Sequence, residues 1–151
     1  MTDQQHEAAI TPQEPTPLPR AKRIRNRALV VLAGVVAAAL VWVLAVPVFG
    51  AEVSVPEQYG SDTKIDLTLG AVIFATLFAG LAGWLSLAAA EKILKRRGAL
   101  IWTVVAALFL LITLPWRMPG FSTTNILVLV GLHLVVGAVF IPGLPRAARI
   151  G

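Results

Sequence analysis

The sequence predicts an all-α integral membrane four-helix bundle, made of two antiparallel transmembrane hairpins behind a disordered N-terminal tail. Three observations carry that expectation. Four uncharged apolar runs divide the chain. Charged residues are only 14% of the total and gather between those runs. The Lys and Arg clusters also recur on one side of the implied topology. Soluble domains carry about a quarter charged residues, spread among short apolar segments.

Residues 1–27 read as a cytoplasmic tail. The first nineteen are polar and include Pro12, Pro15, Pro17 and Pro19, a composition with too little apolar surface to drive folding. A basic cluster follows at Arg20, Lys22, Arg23, Arg25 and Arg27. Residues 28–145 form the predicted membrane domain, and 146–151 a short cytoplasmic C-terminus.

The first run is Ala28–Phe49, closed by Pro47 and Gly50. At 1.5 Å per residue, about 20 residues cross a bilayer core, so this run spans. Its length also argues against a cleaved signal peptide ending before Ala51, because signal cores run about 7–15 residues. Residues 51–66 read as a solvated acidic loop with Glu52, Glu57, Asp62 and Asp66. In that loop Val53, Val55 and Tyr59 are candidates to meet a partner.

The second span is Leu67–Ala90, with Asp66 placed to favour its helix N-terminus. It continues into Glu91, Lys92, Lys95, Arg96 and Arg97, where the i, i+4 spacing of Glu91 and Lys95 predicts a surface pair. The third span, Ala99–Trp116, carries Trp102 and Trp116 near its ends, as interfacial indoles prefer. The fourth, Asn125–Ile141, follows N-cap candidates Ser122, Thr123, Thr124 and Asn125, and is expected to stop at Pro142-Gly143. Trp42 and Trp84 lie well inside their spans and read as core or lipid-facing residues.

Orientation follows from basic residues near the spans. Eleven Lys and Arg fall in the N-terminal tail, the turn between spans two and three, and the C-terminus. The opposite loops hold two, Lys64 and Arg117. Four spans place all three basic segments on one side, so both termini are expected in the cytoplasm of a multi-pass plasma-membrane protein.

Several chemistries are excluded. The chain has no cysteine, which removes disulfides, thiolate metal sites and thiol redox chemistry. Phosphate-loop, zinc-protease, serine-hydrolase and dinucleotide signatures are absent. No metal site and no cofactor is expected.

His133 is the sharpest candidate. It sits at the centre of the fourth span, where an ionisable residue is costly and marks a functional site by default. The competing reading is a neutral imidazole bonded to a neighbouring helix through Thr76, Thr103 or Thr113. A second candidate is the small-residue ladder Ala71, Ala75, Ala79 and Gly83 on the second span, with Gly80 and Thr76 beside it. Such ladders let helices approach closely, either within the bundle or across a homo-oligomer. Gly34 and Ala38 form a similar pair on the first span. The basic cluster at 20–27 suits anionic headgroups. It has no interleaved aromatics to stack bases, so no nucleic-acid partner is expected.

The segments Trp42-Val-Leu-Ala-Val-Pro47, Leu132-His133-Leu-Val-Val136 and Ile141-Pro-Gly-Leu144, with Arg146 behind them, resemble small actinobacterial four-helix membrane proteins grouped as a domain of unknown function. The resemblance covers roughly residues 24–147. It implies a plasma-membrane protein without a known activity, and it places the fourth-span histidine within the family pattern. Three functions follow as expectations. The first is a non-enzymatic scaffold or accessory subunit with a membrane-protein partner. The second is a small oligomeric transporter or channel, proton-linked through His133. An enzyme acting on lipid or envelope material at Glu91, Lys92 and Lys95 is the weakest of the three.

Overall fold

The computed structural model describes residues 19–58, 61–116 and 119–148. The tail expected over residues 1–18 lies outside the described residues, as do Tyr59, Arg117 and Arg149. The described chain is mainly helical: α1 (Arg20–Val43), α2 (Leu69–Leu94), α3 (Gly98–Thr113) and α4 (Thr123–Arg146). A short antiparallel hairpin, β1 (Ser54–Pro56) with β2 (Lys64–Asp66), lies between α1 and α2.

Three helical stretches are long and apolar enough to cross a membrane: residues 20–48, 69–113 and 123–146. The middle stretch, 45 residues long, holds both α2 and α3 and folds back on itself. Lys95 enters a 3₁₀ turn at φ +49°, a backbone region that breaks the helix path. Gly98 then presses against α2, since a β carbon there would lie 2.4 Å from the Ala90 carbonyl oxygen. Trp102 Nε1 donates to Ser86 Oγ at 2.9 Å, pairing positions on either side of the turn. α2 and α3 are therefore an antiparallel hairpin. α1 packs on α2 and α4, and α3 closes the bundle against both α2 and α4.

Several boundaries differ from those read in the sequence. α1 begins at Arg20, inside the expected tail, because two long-range ties hold its first turns. Asn26 Nδ2 donates to the Ala147 carbonyl at 3.2 Å, and Arg27 pairs with Glu91. At its other end Pro47 has no N–H to continue the α ladder, and Leu44–Val48 widens into a π turn. α2 starts later than expected: Asp66 belongs to β2, and Thr68 is the N-cap, its hydroxyl accepting from Ala71 N at 3.2 Å. α3 is 16 residues, about 24 Å long at 1.5 Å per residue. Of the four N-cap candidates, Ser122 caps α4, its hydroxyl accepting from Asn125 N at 3.2 Å. α4 also runs through Pro142 and Pro145 to Arg146, as helices packed on neighbours tolerate.

Two buried clusters, both packed against Val136, follow one another along the bundle. Near the ends that carry the basic segments, Val31, Leu87, Ala99, Trp102, Phe140 and Leu144 pack together. Toward the β-hairpin, Ala38, Val53, Val72, Leu129 and Leu132 do the same. At the centre the Phe140 ring fills a slot between two glycines. A β carbon on Gly34 would lie 2.1 Å from the ring, and one on Gly80 would lie 2.9 Å from it. Only glycine at both positions lets α1 and α2 approach around this side chain.

The region read as a solvated acidic loop is a folded cap. Asn125, 2% exposed, accepts from Ser54 N at 2.6 Å and donates to Ser54 O at 3.1 Å. Its amide thus mimics a neighbouring strand. Trp42 Nε1 donates to Leu67 O at 2.8 Å. Lys64 donates to the Gly120 carbonyl and lies over the Phe121 ring, 4.4 Å from its centroid. Asn125→Leu strands the Ser54 N–H and C=O, a loss of about 1–3 kcal/mol. Amide exchange at residues 53–55 should speed up by at least tenfold while α2 and α3 keep their protection.

Candidate functional site

The candidate residues fall on separate parts of the bundle. His133 is half-buried on α4. Its Nδ1 lies 3.0 Å from the Leu129 carbonyl of the same helix. A carbonyl only accepts, so Nδ1 carries the hydrogen and Nε2 presents a lone pair in the neutral ring. The expected bond to a threonine on a neighbouring helix does not form. Thr103 Oγ1 donates to Ala99 O and Thr113 Oγ1 to Phe109 O, each within its own helix. The i−4 carbonyl is the nearest acceptor for a side chain at mid-helix and outcompetes a partner across the bundle. Thr76 is buried on the inward face of α2, between Val72 and Gly80.

The small-residue ladder is displaced from the packing face. Ala71, Ala75 and Ala79 are exposed, and Gly83 is half-buried against Leu144 and Trp102. The buried residues of α2 are Val72, Thr76, Gly80 and Leu87; the first three lie one residue on from Ala71, Ala75 and Ala79, or about 100° around the helix, whereas Leu87 continues the ladder's own row beyond Gly83. Gly80 faces Phe140, so the face holding Gly80 turns inward and the alanines turn out.

The basic cluster also divides. Arg20, Lys22, Arg23 and Arg25 are exposed, whereas Arg27 is only 6% exposed. Arg27 Nη2 donates to both Glu91 carboxylate oxygens, at 2.6 and 2.7 Å. Its Nε is buried without a partner. This pair replaces the expected Glu91–Lys95 bridge. α2 ends at Leu94 and Lys95 leaves helical geometry, which removes the i, i+4 register. Sequence spacing did not signal the Arg27–Glu91 tie, because its partners are 64 residues apart.

These ties sort by end. Arg27–Glu91 and Asn26–Ala147 lock the basic end, while Asn125–Ser54 and Lys64–Gly120 lock the hairpin end. Among the described residues, no group of three or more His, Asp or Glu side chains is placed to hold a metal. Residues 18–150 match a family of unknown function, DUF6069. The chain belongs to the DUF6069 family. No curated protein and no solved structure gives a significant match. Membership in DUF6069 brings no activity with it, so function must be argued from the bundle.

Proposed function

We propose that this DUF6069 protein is a four-span plasma-membrane protein with both termini cytoplasmic, and that it works without catalysis, as a scaffold or accessory subunit. The observation that carries this reading is where its polar groups go. The buried polar side chains Arg27 and Asn125 tie one part of the bundle to another. Outward, the helices present large apolar side chains such as Phe74, Phe78, Leu85, Phe109 and Ile112. Such a surface suits lipid and neighbouring spans. The exposed ladder at Ala71, Ala75 and Ala79 offers a close-approach face for a second copy or a membrane-protein partner.

The absence of cysteine makes topology directly measurable. Single variants Glu57→Cys, Lys22→Cys and Arg96→Cys can be probed in intact cells with a membrane-impermeant maleimide. Labelling is expected at 57 alone, with 22 and 96 reacting only after permeabilisation. Labelling of 57 and 96 from the same side would defeat the four-span reading.

The half-buried His133 favours one alternative, a small oligomeric transporter or channel. Its Nε2 lone pair is the group on α4 suited to carry a proton. Proton flux into liposomes holding the purified chain is the measurement. A rate equal to that of empty liposomes, unchanged in His133→Leu, removes this alternative.

A further inference from the structure

We propose that the cleft between the start of α3 and the end of α4 binds one anionic phospholipid. The proposal rests on the membrane reading above and gives it a specific lipid partner. The cleft has a volume of about 280 Å³ and is lined by Leu100, Thr103, Ile141, Pro142, Pro145 and Arg146. Its chemistry changes along its length in the direction a phospholipid requires. At the basic end stands the exposed Arg146, and Lys95, Arg96 and Arg97, all exposed, immediately precede α3. Leu100 and Pro145 line the cleft beside that end, and toward the bundle centre its walls are Ile141, Pro142 and Thr103. The prolines have no N–H, and the Thr103 hydroxyl is spent on Ala99 O, so that half of the cleft presents little but hydrocarbon.

Charge selects the headgroup. Among the described residues, Glu91 is the only Asp or Glu at this end, and Arg27 occupies it. Among those residues no second carboxylate offsets the positive charge of Arg96, Arg97 and Arg146. A phosphodiester beside Arg146, with its acyl chain along Ile141 and Leu100, satisfies both halves of the cleft. Length argues against a protein segment as occupant. Ile141 to Arg146 covers about 8 Å of helix, too short to seat a partner helix.

The test uses the full chain in bilayer discs of equimolar phosphatidylglycerol and phosphatidylcholine, with lipids retained on the protein counted by native mass spectrometry. The wild type should keep one phosphatidylglycerol about fivefold more often than phosphatidylcholine, the factor expected for one basic residue at a charged lipid surface. Arg146→Gln should bring the two lipids to parity. Leu100→Trp, which fills the cleft, should abolish retention, and Lys64→Gln at the opposite end should keep it. Equal retention of both lipids by the wild type overturns the proposal. So does Arg146→Gln or Leu100→Trp with wild-type retention. Alkaline carbonate extraction separates the two levels of inference. A chain released by carbonate refutes the membrane reading itself, whereas a chain that stays in the bilayer without lipid preference refutes only the site.

Discussion

Gly34→Leu should separate α1 from α4 and prevent the purified chain from running as a single folded species. The Phe140 ring occupies the space that any side chain at residue 34 would need, at 2.1 Å from the first added carbon. Overpacking a fitted core usually costs about 1–3 kcal/mol. Here the ring is also held by Gly80 and Val31, so it has no direction in which to yield and the cost should reach the top of that range. Phe140→Ala relieves the clash but leaves a cavity, at about 3–5 kcal/mol on its own. The combination Gly34→Leu with Phe140→Ala should therefore be more stable than the sum of its parts. Thermal unfolding followed by size-exclusion chromatography in mild detergent checks this. Strict additivity would mean that residues 34 and 140 do not compete for one space.

Removing the carboxylate of Glu91 should also be strongly destabilising. Glu91→Ala leaves the Arg27 guanidinium buried and unpaired; because the Glu91 side chain is 29% exposed, the cost should fall below the about 3–5 kcal/mol of a fully buried pair. Removing both charges is a different perturbation. Arg27 Nε has no partner even in the native pair, so part of the desolvation cost is already uncompensated. Arg27→Met with Glu91→Leu should recover most or all of the wild-type stability. Screening acts weakly on a pair with one partner this buried, so salt should shift the wild-type midpoint little. A double variant as unstable as Glu91→Ala would show that the pair contributes more than it costs.

The two cases show where sequence reading reached and where it stopped. Hydropathy located the apolar stretches because a run of uncharged residues reports local composition. It could not find their inward faces. On α2 the alanine ladder and the Val72–Thr76–Gly80 face are both built of small side chains, and in a helix apolar on all sides no periodicity separates the outward face from the core. Gly34 and Gly80 were visible as small residues, but their shared partner is one ring on a distant helix. The Glu91–Lys95 rule failed for a related reason. A weak neighbour preference gives way to a part-buried contact of Arg27 Nη2 with both Glu91 oxygens, which exists only after α1 and α2 meet. In the sequence Asn125 stands among four cap candidates because capping is local. Its amide instead serves Ser54, 71 residues away. His133 was legible as a place. Its hydrogen bond, which runs back along α4, depends on which neighbours come within reach.

The slot around Phe140 has a consequence for biogenesis. A ribosome delivers Gly34 first, Gly80 next and the phenylalanine near the end. Without α4, a paired α1 and α2 would leave the space between Gly34 and Gly80 unfilled. A chain cut short before α4 lacks this ring and should leave the Gly34 and Gly80 surfaces uncovered.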